Sequence, residues 1–540
     1  MDLNLATLHQ GIAQRVPDRE GIVWREQRKT WAEVAERARR FANLLIAHGM
    51  GVHGDPATVQ PWESPHDHVA LYMYNCPEFL EALLGTHLAR VAPFNVNYRY
   101  VADELQTLLA GARPRVIVVH ARLAPTLAAV LPQLPEDLLV IQVADDSGEP
   151  LLPGALDFEA ALATASAAMP STAPSADDLH VVFTGGTTGL PKGVLWRIGD
   201  LLAGPLGHTR RDGSEWESYE EAIDFAAGRP GLRTLPAPPF IHGAGLWVAM
   251  GALITGGTVV IQDDPIHFDG AALAALCERE RVGLLSLVGD AMAVPFLDAL
   301  DRAPHQLAVK FVHNTAAPLS ERTKARLLDR LPALRIVDGL GSSETGHLGA
   351  RTTEPNFALS PGSVVLSEDL TRELTPGEDE VGWLCTALRH ARGYLDDEVK
   401  TKETFTTYQG RSLVISGDRV RLCADGRFEL LGRDSLVINT GGEKVFAEEV
   451  ENGLRRVDGI ADAAVLGRPH HRWGHEVVAV IALRRGATLD DATVLDAIGE
   501  HLAGYKLPRA IFRAPAIQRA PNGKLDYRWA RAYVAESATR

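Results

Sequence analysis

The feature that most constrains this chain is one segment, Val181-Val-Phe-Thr-Gly-Gly-Thr-Thr-Gly-Leu-Pro-Lys-Gly-Val194. An apolar run that reads as a strand enters Thr184, Gly185, Gly186, Thr187, Thr188 and Gly189, a turn in which no side chain is larger than threonine. Small residues let backbone N–H groups approach an anion while the hydroxyls donate further bonds, and Lys192 adds a positive charge. Such a turn suits a polyphosphate during nucleotidyl transfer, where fixed donors must meet developing charge. A bare glycine-rich turn is more often a plain hairpin, but the full segment is far more specific than that. Other glycine-loop chemistries fail on spacing. Lys192 follows Pro191 and precedes Gly193, which breaks the P-loop pattern GxxxxGK[ST]. Gly339-Leu-Gly341 is followed by Glu344 where a dinucleotide fingerprint needs its third glycine, and Gly341-Ser-Ser-Glu-Thr345 does not form a GxSxG nucleophile elbow.

Composition narrows the ligands. With 54 Lys+Arg against 69 Asp+Glu, the 540 residues carry a net charge of −15, which argues against a protein that coats nucleic acid or an anionic membrane. The partners expected are small molecules. At 46% apolar and 23% charged the composition is that of a folded, multi-domain chain. Cys76, Cys277, Cys385 and Cys423 show no CxxC spacing, so neither a disulfide framework nor a cysteine zinc site is indicated, and a reducing cytoplasm fits. No secretory signal is apparent in Met1 to Arg15. The uncharged stretch from Pro236 to Gln262 is broken by five glycines and reads as a buried helix, turn and strand rather than a membrane span.

Along the chain, short apolar runs alternate with helical patterns. Arg115–Val119 follows a helix-like Ala102–Gly111, and Leu138–Ile141 follows another, the texture of α/β layers with partly parallel sheets. Ser166–Asp178 is expected to be a loop, and Gly51–Asp67 and Asp212–Arg233 surface excursions. From Glu380 the pattern changes to short strands, Val381–Cys385, Ser412–Ile415 and Phe428–Leu431, with Asp425-Gly426 a hairpin signal. A compact ending follows, with a helix at Ala447–Arg456 and a strand at Val477–Ala482, so a domain boundary falls near 432–436. Splitting the charge there leaves 39 basic and 55 acidic residues in 1–433 against 15 and 14 in 434–540. Within 501–531, seven basic residues face Asp526 alone.

The Val181–Val194 segment resembles the phosphate-binding signature of the adenylate-forming superfamily, which includes acyl-CoA synthetases, adenylation domains of peptide synthetases and luciferases. Further segments follow in the family's order. Pro239-Phe-Ile-His-Gly-Ala-Gly-Leu-Trp247 resembles its acyl-pocket segment, with His242 in the gate position. Asn314-Thr-Ala-Ala-Pro318 and Gly339-Leu-Gly-Ser-Ser-Glu-Thr-Gly346 resemble the adenine and magnesium segments. Ser416-Gly-Asp418 and Gly432-Arg433 resemble the ribose-binding pair, Asn439-Thr-Gly-Gly-Glu-Lys-Val445 the glycine turn used for thioester formation, and Pro521-Asn-Gly-Lys-Leu525 the catalytic-lysine loop. Singly, each has a bland alternative; in order, over essentially the whole chain, they do not.

The resemblance implies an α/β fold with a β-rich subdomain: a large N-terminal domain of layered α/β sheets (1–432), a hinge (433–435) and a small, mobile α+β C-terminal domain (436–540). It implies an ATP-dependent acid–CoA ligase with ATP/AMP, Mg²⁺ and coenzyme A as cofactors and a hydrophobic carboxylic acid as substrate. Thr184–Gly189 and Lys192 would hold phosphates. Ala316, Ala317, Pro318, Leu340, Gly341, Ser342 and Ser343 would line the nucleotide site, and Asp418 and Arg433 would bind ribose. Glu344 would place the metal, Lys524 would act in adenylation, and Gly441, Gly442 and Lys444 would meet the pantetheine arm. The implied acyl-pocket walls are His242–Trp247, Ser286–Met292 and Asn314–Ala316. Of nine lysines, Lys192, Lys444, Lys506 and Lys524 fall in segments this mechanism uses. Three positions depart from the family pattern: Leu340 replaces an aromatic residue, Ser435 an Asp or Lys in the hinge, and Ser416 a threonine. The rival readings are a ligase that uses pre-formed acyl-AMP, an amino-acid-activating module, a luciferase-like oxygenase and a non-catalytic nucleotide-binding regulator. No nucleic acid and no membrane span are expected, and a homodimer is left open.

Overall fold

The computed structural model describes residues 1–185, 191–210, 212–317, 319, 321–352, 354, 356–433, 437–518 and 525–537. They pack as two compact units, one of residues 1–98, 112–184 and 193–432, the other of the described residues of 99–111, 185–192 and 433–540.

Two large sheets build the first unit. In one, the strands Leu179–Gly185, Ala92–Asn95, His68–Tyr72, Val116–His120, Leu139–Val143 and Leu156–Asp157 run parallel, and Pro191–Arg197 and Gly393–Tyr394 extend the edge beside Leu179–Gly185. In the other, Arg335–Ser342, Phe311–Asn314, Leu284–Leu287, Arg233–Pro236, Thr258–Ile261 and Glu20–Trp24 are parallel. That sheet continues through antiparallel strands from Gly346–Arg351 to Ser363–Leu366, so the β-rich region expected from residue 380 onward already begins at Gly346.

Between the sheets lies one core. It combines Val69, Leu71, Val116 and Val118 of the first sheet with Ile22, Val259 and Ile261 of the second, and with apolar faces of helices Leu5–Arg15, Trp31–Ala47, Pro77–Leu88 and Gly243–Leu253. Helix Trp31–Ala47 shows why the chain folds this way locally. Thr30 and Glu33 form a reciprocal capping box, and Trp31, Val34, Ala35, Ala38, Phe41 and Ala42 repeat at helical spacing on the buried face. Its neighbour Pro77–Leu88 is buried at every position. The two helices come close at Gly85, where a Cβ would stand 2.6 Å from the Ala38 carbonyl oxygen. Glu81, wholly buried in this layer, is neutralised by Lys29 at 2.5 Å and Arg37 at 2.7 Å.

The uncharged stretch 236–262 is the helix Gly243–Leu253, a turn and the strand Thr258–Ile261, as expected. Among the described residues no helix is long and apolar enough to cross a membrane. The segment 212–233 corrects the sequence reading. It is not simply a surface excursion, because it contains the helix Tyr219–Ala227, whose Ala222 and Ala226 are buried in the inter-sheet core.

The second unit has a five-stranded sheet in which Ile460–His470, Gly474–Leu483 and Val437–Thr440 are antiparallel and Ala510–Arg513 adds a parallel strand to Gly474–Leu483. Alternation explains its two cores. Val477, Ala479 and Ile481 face helices Ala447–Arg456 and Asp491–Gly499, while Val478, Val480 and Ala482 face helix Tyr527–Ser537.

Several core histidines are held neutral by burial. His9 is pushed down to about 3, and His120, His180 and His208 to about 4. The unfolded chain takes up these protons near pH 6.5 and the folded chain only near 3–4, so stability is full above pH 6.5 and declines as pH falls below it. Each such histidine withdraws up to ~1.4 kcal/mol per pH unit. Thermal unfolding at pH 7, 6 and 5 is expected to show a falling midpoint; a flat profile would contradict this account.

Candidate active site

Among the described candidates, Thr184, Gly185, Ala316, Ala317 and Leu340–Glu344 stand at or just beyond the carboxyl ends of parallel strands, where open α/β sheets bind ligands. Thr184 and Gly185 close the strand Leu179–Gly185, and Lys192 lies half-buried at the start of Pro191–Arg197. Gly186, Thr187, Thr188, Gly189, Pro318, the hinge pair Asp434-Ser435, Lys524 and the side chain of Arg433 lie outside the described residues.

Two asparagines set the approach of the sheets here. Asn95 is 5% exposed at the end of its strand. Its amide donates to the Phe183 carbonyl at 3.4 Å and to the Ile241 carbonyl, and its oxygen accepts from the Phe183 N–H at 3.2 Å. Asn75 accepts from the Phe240 N–H at 2.6 Å and donates to the Pro238 carbonyl at 3.3 Å. Together they tie the strand entering the phosphate segment to the turn entering the acyl-pocket helix.

That helix, Gly243–Leu253, begins directly after His242, which is half-buried. A Cβ on Gly245 would lie 2.3 Å from the Pro238 carbonyl oxygen, so glycine is what lets the helix start against this turn. Trp247 meets Trp196 edge-on at 6.2 Å. Ser286 is wholly buried in the strand Leu284–Leu287.

The adenine-like segment is built around Asn314, also wholly buried. Its oxygen accepts from the Gly289 N–H at 2.7 Å, and its amide donates to the Ala317 carbonyl at 3.0 Å and to Asp338 at 2.7 Å. Arg351 donates to the other oxygen of Asp338 at 2.7 Å. This clamp spans a turn in which Ala316 has φ of +67°, a left-handed conformation that costs a non-glycine residue about 1–3 kcal/mol. Beside it, His313 is pushed down to about 4 by burial and so stays neutral. His313 and His347 flank Gly339, meeting edge-on at 5.9 Å.

Next, the strand Arg335–Ser342 turns back through Ser343, Glu344 and Thr345. A Cβ on Gly341 would lie 1.9 Å from the Gly346 carbonyl oxygen, so only glycine permits this crossing. Within the turn, the Ser342 N–H donates to the Thr345 hydroxyl at 3.0 Å and the Thr345 N–H to the Ser342 hydroxyl at 3.3 Å. The Trp196 indole donates to the Ser343 carbonyl at 2.7 Å, the Ala391 N–H to the Glu344 carbonyl at 3.0 Å, and the Tyr394 hydroxyl to Glu344 Oε1 at 2.9 Å. Leu340 packs against the β-rich core containing Val420 and Phe428. On the Val420 strand, Ser416–Asp418 forms a bulge with Gly417 at φ +79°. The Ser416 hydroxyl donates to the Leu384 carbonyl at 2.7 Å and accepts from the Asp418 N–H at 3.1 Å, so it fastens the bulge. Asp418 is 2% exposed.

In the second unit, Gly441 and Gly442 form a two-residue hairpin turn between Val437–Thr440 and Glu443–Phe446, both with positive φ. Lys444 pairs across the hairpin with Asn439. Lys506 corrects the lysine argument. It is buried, with Nζ 2.6 Å from Glu104 and 2.7 Å from Glu449 and the ring of Tyr100 at 5.1 Å. Although burial opposes its charge, the two carboxylates hold it above the usual lysine range, so it is a structural cation.

Sequence reasoning missed Asn95, Asn75, Trp196, Tyr394 and His313. None of them carries a motif, and their roles depend on contacts far along the chain.

A family model described as AMP-binding enzyme matches residues 10–385, and another described as AMP-binding enzyme C-terminal domain matches residues 449–524. The chain is 44% identical over 530 residues to the medium-chain acyl-CoA ligase Mig of Mycobacterium avium, covering 97% of this chain and 96% of that protein. It is 36% identical over 549 residues to the 3-oxocholest-4-en-26-oate–CoA ligase of Rhodococcus rhodochrous, covering 98% and 96%. Among solved structures, the amide bond synthetase McbA from Marinactinospora thermotolerans superposes with a TM-score of 0.80 at 20% identity over 98% of this chain and 99% of that one. The o-succinylbenzoate CoA synthetase of Bacillus subtilis gives 0.77 at 19% identity over 97% of each chain. These structural likenesses establish the fold.

Asn95→Ala strands a buried N–H and two carbonyls, and is expected to lower stability by roughly 1–3 kcal/mol. Urea unfolding checks this, and an unchanged midpoint would remove Asn95 from its tying role.

Proposed function

The chain belongs to the AMP-binding enzyme family, and from that membership we propose that it is an acyl-CoA synthetase acting on a hydrophobic carboxylic acid. The observation that carries this reading is the end-to-end match, at 44% and 36% identity, to two enzymes that join carboxylic acids to CoA. In the first half-reaction a carboxylate oxygen attacks the α-phosphorus of ATP and pyrophosphate leaves, forming acyl-AMP. In the second, the CoA sulfur attacks the acyl carbonyl and AMP leaves.

The chain's own residues serve positioning and charge stabilisation. Thr184–Gly189 and Lys192 receive the β- and γ-phosphates, the Ala316–Pro318 and Leu340–Ser343 segments receive the adenine, and Asp418 with Arg433 holds the ribose hydroxyls. Lys524 bridges the carboxylate and α-phosphate. His242 stands at the mouth of the acyl pocket, and Gly441, Gly442 and Lys444 receive the pantetheine arm after the C-terminal domain (436–540) turns about residues 433–435. Among the described residues no three His, Cys, Asp or Glu side chains form a metal cage. A single carboxylate at Glu344 suits Mg²⁺ brought in on the nucleotide, because that ion takes one or two carboxylates together with phosphate oxygens. When bound, it would offset charge on the departing pyrophosphate.

The substrate is a medium-chain or bulky apolar acid. Small residues, Gly243, Gly245 and Ala316, together with the buried Trp196 and the half-buried Trp247, support that reading. The four cysteines are free, three of them buried, which supports a cytoplasmic location.

A panel of medium-chain, aryl, alicyclic and amino acids, incubated with ATP and CoA and analysed by mass spectrometry, is expected to give an acyl-CoA and AMP from apolar acids. ADP as the nucleotide product would overturn the reading, and turnover from synthetic acyl-AMP alone would favour the ligase that uses pre-formed adenylate. Lys524→Ala is expected to slow acyl-AMP formation by ~10²–10³-fold while largely sparing thioester formation from supplied acyl-AMP. Equal losses would count against its assigned role.

A further inference from the structure

We infer that Tyr394 is a positioning residue for Glu344: its hydroxyl occupies one carboxylate oxygen and thereby aims the other at the cation and phosphates of the bound nucleotide. This rests on the reading of Glu344 given above. A glutamate side chain rotates about three bonds, and ordering one costs up to ~2 kcal/mol. In this chain the ordering is done before any ligand arrives. The backbone of Ser343-Glu344 is pinned by the Trp196 indole and the Ala391 N–H, at 2.7 and 3.0 Å, and the Tyr394 hydroxyl takes Oε1 at 2.9 Å.

Tyr394 itself has little freedom. It is 5% exposed and pairs with Val194 across the antiparallel edge of the sheet. Its N–H donates to the Thr401 hydroxyl at 2.9 Å, and its ring lies edge-on to Phe405 at 5.6 Å.

The choice of a phenol has a chemical consequence. An arginine or lysine at this place would orient Glu344 equally well but neutralise it, whereas a neutral hydroxyl leaves the full negative charge for the cation. The segment Tyr394-Leu395 also connects the carboxylate to the strand Pro191–Arg197, Tyr394 pairing with Val194 and the Leu395 N–H donating to the Gly193 carbonyl at 2.7 Å.

Tyr394→Phe removes one oxygen and keeps the ring. The probe is Mn²⁺ binding followed by electron paramagnetic resonance with ATP present and no acid, paired with the Mg²⁺ concentration giving half-maximal adenylation. Both constants are expected to rise ~10–100-fold, with a smaller loss of kcat at saturating Mg²⁺. In a Glu344→Gln background, Tyr394→Phe is expected to add nothing, because it acts through Glu344. Wild-type Mn²⁺ binding in Tyr394→Phe, with weakened binding in Glu344→Gln, would overturn the proposal and leave the reading of Glu344 standing. A full Tyr394→Phe penalty persisting in the Glu344→Gln background would assign a general structural role and also overturn it. No effect of Glu344→Gln on either readout would remove the reading of Glu344 and this proposal together.

Discussion

A single buried amide holds the site's two halves in register. Asn95 ends a strand of one sheet, pairs with both backbone groups of Phe183 on the neighbouring strand, and reaches the Ile241 carbonyl beside the other sheet. Parallel strands that stop inside a protein leave N–H and C=O groups with no ladder partner, and burying such groups unpaired is expensive. Here one side chain satisfies three of them at once. The strand Leu179–Gly185 is therefore held at Phe183 to the turn that opens the acyl-pocket helix. Asn314 repeats the device, joining Gly289, Ala317 and Asp338 across the ends of three strands.

Catalysis by positioning needs such stiffness, because the chemistry of phosphoryl and acyl transfer is supplied by the substrates and the protein contributes placement and charge. The site also uses smallness. Gly341 lets the returning strand bring the Gly346 carbonyl oxygen to 1.9 Å from where a Cβ would stand. Leu340 shows the opposite tendency, for it is bound into the β-rich core instead of standing free. A leucine at this place offers apolar surface but no aromatic face for stacking.

What was legible in the sequence is what local chemistry dictates. A β-branched run ending in small residues reads as strand and turn, and helix Ala447–Arg456 and strand Thr258–Ile261 stand where their patterns place them. The order of the motifs, not any single one, identified the family. The contacts that make the site rigid were illegible because their partners are distant: Tyr394 lies 50 residues from Glu344 and Trp196 lies 147 from Ser343. Nor does composition separate a ligand-binding cation from a structural one. Lys506 sits in a basic stretch, yet its charge is spent on Glu104 and Glu449. Helix Tyr219–Ala227 was missed because its buried face rests partly on two alanines within an otherwise acidic, polar stretch.

The central claim is that a carboxylate oxygen of the substrate bonds to the α-phosphorus. It is tested most directly by supplying an apolar acid labelled with ¹⁸O in its carboxylate, together with ATP and CoA, and locating the label by mass spectrometry. Adenylation predicts one ¹⁸O in AMP for each acyl-CoA formed. Label in inorganic phosphate with ADP as the nucleotide, or AMP without label, would contradict it.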